Sequence, residues 1–157
     1  GLHLAEFKQH LKPVHPLYSV KSSSALLYVL AGEYARDSSF DECIILNEFG
    51  NISETTSSNL FFIRNRTVVT PSLDEGCIEG VMRSQIISLI EKDTDYKVEC
   101  RVVQPDELLI ADEVFITNTI SGIRWVVAFR SKRYFNTQVK KLVFKLNEMV
   151  RNEIMTG

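Results

Sequence analysis

The sequence predicts an α+β fold, in the sense of an irregular α/β domain, and three observations carry that expectation. Two hairpin signals lie in the first half, around Gly50-Asn51 and around Asn65-Arg66. Several stretches carry apolar residues at helical spacing, with short apolar runs between them. Their order lacks the regular βαβ alternation of a doubly wound sheet, so a mixture of hairpins and helices is expected.

Taken in order, the elements follow from local chemistry. Pro13 and Pro16 exclude a continuous helix at the start, and residues 17–20 read as a short strand leading into Lys21. Ser22, Ser23 and Ser24 offer N-cap hydroxyls to a helix that runs to about Arg36. Its apolar face is expected to be Leu26, Leu27, Val29, Leu30, Tyr34 and Ala35. Residues 43–47 read as a buried strand, 48–51 as a turn and 51–54 as the start of the return strand. Residues 60–64 and 67–70 form a second hairpin, ended by Pro71. Gly80 opens a helix with Val81, Ile86, Ile87, Leu89 and Ile90 as its apolar residues. Residues 97–103 alternate like a strand, Pro105 starts a short helix, and 114–117 and 123–129 are further strands. A closing helix over about 136–155 turns Val139, Leu142, Val143, Leu146, Met149 and Val150 to one face.

Bulk composition narrows the function classes. The 157 residues suit one domain with a real core, and 45% apolar with 24% charged residues is the ordinary soluble globular mix. A net charge of -2 gives no electrostatic reason to expect nucleic acid or an anionic membrane as partner. The Lys and Arg residues within 124–141 are interrupted by aromatic and aliphatic ones and read as a solvated surface. No stretch approaches the ~18 consecutive apolar residues of a membrane span, and no signal peptide pattern opens the chain. Cys43, Cys77 and Cys100 are odd in number and far apart, with no metal-ligand spacing. Reduced thiols in a cytoplasmic protein, without a metal, are expected.

Three arrangements carry chemistry. Lys21 lies between an apolar approach and a serine-capped helix, where a desolvated amine becomes a usable nucleophile toward a carbonyl cofactor. Glu54 lies at the end of a hairpin among the hydroxyls of Ser53, Thr55, Thr56, Ser57 and Ser58, which are expected to keep it ionised and able to hold a cation. Residues 70–83 form a loop feeding a helix, where Gly80 lets backbone come close and the first N–H groups offer an anion site. Each alone has a plain reading: a surface lysine, a polar loop, a turn glycine.

In combination they resemble a known family. ISETTSSNLF (52–61), LDEGCIEGVMR (73–83) and ADEVFITNT (111–119), preceded by Lys21 at 54 − 21 = 33 residues before Glu54, are similar to the motifs of aminotransferase class IV, the fold type IV pyridoxal-phosphate enzymes. That family includes branched-chain and D-amino-acid aminotransferases and aminodeoxychorismate lyase. The resemblance implies a D-amino-acid-aminotransferase-like large domain whose β-hairpins form a pseudo-barrel flanked by helices. It implies pyridoxal 5'-phosphate as cofactor, with Lys21 as the Schiff-base lysine that moves a proton at the substrate. Glu54 would pair with the pyridine nitrogen and Ile78 would pack on the ring. The N–H groups of Val81 and Met82, after Gly80, would hold the phosphate, and Asn118 and Thr119 would make further phosphate or substrate contacts. Asn59 is expected to fix the loop after Glu54.

Only twenty residues precede Lys21, so the resemblance implies that residues 1–157 are the single C-terminal cofactor-binding domain, with the family's N-terminal small domain absent. The expected reaction is transfer of an amino group from an amino acid to a 2-oxo acid by a homodimer. Leu26 resembles the lyase and D-amino-acid branches alike, and Met82 and Asn118 resemble the lyase pattern, so elimination of pyruvate from aminodeoxychorismate is the alternative, and an inactive fragment or binding module is a further one.

Overall fold

The computed structural model describes residues 1–15 and 25–156. Lys21, Ser22–24 and the expected strand over 17–20 lie outside the described residues. The elements are β1 (Leu2–Lys12), α1 (Ala25–Asp37), β2 (Glu42–Asn47), β3 (Ile52–Thr55), β4 (Asn59–Arg64) and β5 (Thr67–Pro71). After these come α2 (Val81–Asp93), β6 (Lys97–Arg101), β7 (Glu113–Asn118), β8 (Gly122–Phe129), β9 (Lys132–Arg133) and α3 (Thr137–Thr156). Short 3₁₀ turns over Leu73–Glu75 and Pro105–Ile110 complete the set among the described residues.

The strands form one mixed sheet in the order β3-β2-β1-β8-β7-β4-β5-β6, with β9 on β8. Antiparallel hairpins join β2 to β3, β4 to β5 and β7 to β8. Two parallel pairs are bridged by helices: α1 carries the chain from β1 to β2, and α2 from β5 to β6. The sheet curls until its two edges meet, where the Ile52 N–H of β3 donates to the carbonyl of Val103, just past β6, at 2.8 Å. The expected irregular α/β architecture, a pseudo-barrel flanked by helices, is the one observed.

Strand alternation explains where the core lies. Leu2 and Leu4 of β1, Ile44 and Leu46 of β2, Leu60 and Phe62 of β4, and Val114 and Ile116 of β7 point inside the curl and pack together. Their alternates face outward, but helices cover them. Phe61, Ile63 and Phe115 meet α2 and α3, while Ala5, Phe7, Cys43 and Ile45 meet α1. Both faces of the central strands are buried, so they read as continuous apolar runs and not as alternating ones.

One stretch that the sequence left unplaced is settled, and two expectations require correction. The first residues form the 11-residue strand β1, in the middle of the sheet. Its apolar alternation stops at Phe7 because Lys8 to Leu11 leave the ladder: Phe7 pairs with Ile45, and the next pair is Lys12 with Asn47. Five steps along β1 thus match two along β2. On α1, Leu26 and Val29 are exposed, 70% and 55%, and the buried residues are Ala31 and Ala35, flanked by Leu27, Tyr28, Leu30 and Tyr34. Small alanines let the helix axis approach the sheet, and the larger aliphatics turn away. On α2, Val81 is exposed because it stands in the first turn, beyond the packed face.

Candidate functional site

The site forms where four segments converge: the end of β1, the first turns of α1, β3, and the loop from Gly76 to α2. Glu54 is its centre. It sits on the bulged return strand of the β2–β3 hairpin, where Ile45 pairs with Glu54 but Leu46 pairs with Ile52, so Ser53 is the extra residue. Such a bulge re-aims the neighbouring side chain, and here it turns the Glu54 carboxylate into the protein, 3% exposed.

The donors to Glu54 are not the ones its sequence neighbours suggest. Oε1 accepts from Lys12 Nζ at 2.6 Å and from the Tyr28 hydroxyl, and Oε2 accepts from the Ile78 N–H at 3.0 Å. The hydroxyls of Thr55, Thr56 and Ser57 instead donate to Glu42, at 2.6, 3.1 and 2.8 Å. Glu42 thus fixes the chain just after Glu54, which corrects the expectation that these hydroxyls solvate Glu54 itself. Lys12 is completely buried and spends all three donors, on Glu54, on the Tyr28 oxygen at 2.9 Å and on the carbonyl of Gly76. Burial, then the charge and hydrogen bond of Glu54, push the Tyr28 phenol well above its ordinary range, so it stays a neutral donor.

Lys12 and Tyr28 were not singled out by the sequence. Lys12 follows four residues that leave the ladder, so no alternation marks it as inward. Tyr28 could have been found from Ala31 and Ala35, three and seven residues further on, since those small residues mark the packed face of α1.

The loop that would meet a phosphate is held from both sides. Glu75, in the 3₁₀ turn, accepts from Asn47 Nδ2 at 2.7 Å and Asn51 Nδ2 at 2.9 Å. Gly76 follows with φ of 80°, a left-handed conformation that suits glycine. Ile78, half-buried, gives its N–H to Glu54, while its carbonyl accepts from Asn59 Nδ2 at 2.8 Å. Asn59 therefore fixes the loop before α2, not the loop after Glu54 as expected from the sequence. Gly80 is the N-cap of α2, and a Cβ there would collide with Asn59 Oδ1. The missing side chain lets Asn59 lie against the helix start and keeps the N–H groups of Val81 and Met82 clear, and a helix start leaves those groups without intrahelical partners. The Met82 side chain itself packs toward the core under α2.

At the β7–β8 turn, Asn118 spends its side chain inside the protein. Its Nδ2 reaches Ser58 Oγ at 3.0 Å and the Ser57 carbonyl at 3.4 Å, while Oδ1 accepts from the Ile120 and Ser121 N–H groups. This ties the turn to the loop after Glu54, and Thr119 beside it is exposed. Among the described residues no group of His, Cys, Asp and Glu is arranged to hold a metal, and no helix is long and apolar enough to cross a membrane.

Residues 5–129 match the family model of amino-transferase class IV. The chain belongs to this family. It is 34% identical over 125 residues to a "Probable branched-chain-amino-acid aminotransferase" of Aquifex aeolicus, a match covering 80% of this chain and 40% of that protein. Its fold matches a 4-amino-4-deoxychorismate lyase of Pseudomonas aeruginosa with a TM-score of 0.85 and 29% identity, over 94% of this chain and 55% of the lyase. It matches a branched-chain amino acid aminotransferase of Thermobaculum terrenum in its PLP form with a TM-score of 0.75 and 28% identity, over 81% of this chain and 42% of the other. The chain therefore spans about half, or less, of the length of these relatives. Pyridoxal phosphate is the cofactor of class IV aminotransferases, and the donor set fits it. An ionised carboxylate has about four acceptor positions. Among the described residues Glu54 uses three, which leaves one on Oε2 for a protonated ring nitrogen.

Proposed function

We propose that the protein is a pyridoxal-phosphate-dependent aminotransferase that moves an amino group from an amino acid to a 2-oxo acid. One observation carries this reading. A buried carboxylate and a bare helix start are held together through a single residue, Ile78, whose N–H binds Glu54 two positions before the N-cap of α2. An acceptor for a cation beside an acceptor for an anion matches a ligand with a protonated ring nitrogen at one end and a phosphate at the other.

In this reading Glu54 holds the ring-nitrogen proton through Oε2, and the Val81 and Met82 N–H groups bind the phosphate. Ile78 packs against the ring, the exposed Thr119 hydroxyl adds a phosphate or substrate contact, and Asn118 keeps that turn in place. Lys21 is the Schiff-base lysine and carries the proton at the substrate carbon. Lys12 is unsuited to that part, because the carbon that reacts with an amine lies across the ring from the nitrogen, whereas Lys12 Nζ touches Glu54. When bound, the cofactor supplies an electron sink for the bonds at that carbon. Assembly as a homodimer of a longer polypeptide belongs to the same proposal. The free thiols of Cys43, Cys77 and Cys100 suit a reducing compartment such as the cytoplasm.

The full-length protein incubated with pyridoxal phosphate is expected to absorb near the visible edge. Borohydride reduction and peptide mapping should then find the cofactor on Lys21, and Lys21→Ala should lose it without loss of fold. Attachment at Lys12, or at no lysine, would reject the assignment. A lyase that eliminates pyruvate from aminodeoxychorismate is a second reading, favoured by Met82, Asn118 and the fold match to the Pseudomonas lyase. Amino transfer to 2-oxoglutarate supports the first reading, and pyruvate release without an amino acceptor supports the second.

A further inference from the structure

Tyr28, Lys12 and Glu54 form a closed triangle of hydrogen bonds. Lys12 Nζ donates to Glu54 Oε1 and to the Tyr28 oxygen, and the Tyr28 hydroxyl donates to the same Oε1. Both acceptor positions of Oε1 are thereby filled. Among the described residues Oε2 takes only the Ile78 N–H, and Ile78 lies two positions before the N-cap of α2. The two oxygens of one carboxylate have been given different tasks, one bound into the protein and one left open on the ligand side.

We propose that Tyr28 is a positioning residue that locks the rotation of the Glu54 carboxylate, so that Oε2 alone is presented to the ring nitrogen. Lys12 cannot impose this alone. A lysine amine is a rotating donor on a flexible stem, and its two other partners, the Gly76 carbonyl and the Tyr28 oxygen, restrain its position but not the turn of the carboxylate. The phenol is held differently. Its ring is carried by α1 and packs against the cluster of Ala31, Ala35 and Phe7, so its hydroxyl arrives at Oε1 from a fixed direction. A second donor from a fixed direction removes the freedom of the carboxylate to swing. This inference rests on Glu54 being the ring-nitrogen partner.

The test uses the full-length protein with pyridoxal phosphate as the probe. It reads the equilibrium dissociation constant and the pH midpoint of the near-visible absorption, neither of which depends on turnover. Tyr28→Phe keeps the packed ring and removes only the oxygen. Roughly tenfold weaker binding and a displaced pH midpoint are expected, against thermal unfolding of the cofactor-free protein that stays close to wild type. Tyr34→Phe, on the same helix and packed on Phe7, serves as the control and is expected to behave as wild type. If Tyr28→Phe does not fold, 3-fluorotyrosine at position 28 keeps shape and hydroxyl while making the phenol a stronger donor. The pH midpoint should again move, in the direction opposite to that of Tyr28→Phe. A Tyr28→Phe or fluorotyrosine protein that matches wild type in both readouts, while Glu54→Gln does not, overturns the proposal and leaves the functional reading standing. Failure of the wild type to bind the probe, or a Glu54→Gln protein identical to wild type, overturns both.

Discussion

At the scale of single residues, the site depends on a buried charge whose partner is far along the chain. Lys12 and Glu54 are 0% and 4% exposed as side chains and 2.6 Å apart. Breaking such a pair by removing one partner strands the other charge and costs about 3–5 kcal/mol, whereas replacing both by neutral groups costs far less. Lys12→Met is therefore expected to lower the stability of the protein by about 3 kcal/mol in urea unfolding. Lys12→Met with Glu54→Gln is expected to recover most of that loss; equal losses in the single and double variants would show that the two charges are not coupled. The thiols make a second residue-level contrast. Burial, and then the charge of Glu42, push Cys43 up to about 11. Burial likewise pushes Cys77 up to about 11, against the opposing effect of Arg83. Both stay protonated at pH 8 and are closed off by packing, while Cys100 is exposed. A thiol reagent at pH 8 should label Cys100 rapidly and the other two only on unfolding, as read by peptide mass spectrometry.

At the scale of elements, what matters is how helix and strand ends are fixed. The start of α2 depends on the contact between Gly80 and Asn59, in which the amide of Asn59 occupies the place of a side chain. Gly80→Ala forces the helix start and the Asn59 amide apart, an overpacking cost of about 1–3 kcal/mol. The same shift moves the Val81 and Met82 N–H groups, so affinity for pyridoxal phosphate should fall more than affinity for pyridoxal, which lacks the phosphate. Equal losses for both would mean that this helix start does not bind phosphate. The start of α3 is fixed from a distance: Glu113 of β7 accepts from the Gln138 and Val139 N–H groups at 2.8 to 3.0 Å. A carboxylate at that end satisfies two open donors and complements the helix dipole, so Glu113→Ala is expected to cost about 1–2 kcal/mol, measured by thermal unfolding.

At the scale of the whole molecule, the curled sheet has apolar residues on both faces and three helices to cover the outer one. Phe61 and Phe115 lie on that outer face, stacked with ring centroids 5.0 Å apart, beneath α2 and α3. Truncating either removes a stacked pair and leaves a cavity beneath both helices, so Phe115→Ala should cost about 3–5 kcal/mol. The chain nevertheless shows several large apolar side chains to solvent, including Phe49, Phe135 and Phe144. Such residues are candidates for contact with the rest of a longer polypeptide or with a second copy. Light scattering on the full-length protein at micromolar concentration is expected to give a dimer; a monomer would reject that part of the proposal.

What the sequence determined by itself was local. Hairpin turns were legible because they need particular residues: Gly50, Asn65 and Arg66 all have positive φ, and glycine and asparagine adopt it readily. Helices α2 and α3, the strands from β2 to β8 and the match of 52–61 and 73–83 to the family's motifs were legible for the same reason, since each pattern is complete within a short stretch of chain. Only the tertiary structure decided that β1 is a central strand, because its pattern is interrupted where four residues leave the ladder. Only the tertiary structure decided which groups surround Glu54. Its hydroxyl neighbours serve Glu42, while its own partners come from 42 and 26 residues upstream and 24 downstream. A buried carboxylate must find donors wherever the fold brings them, and a fold that pairs β1 between β2 and β8 brings together segments no local pattern connects.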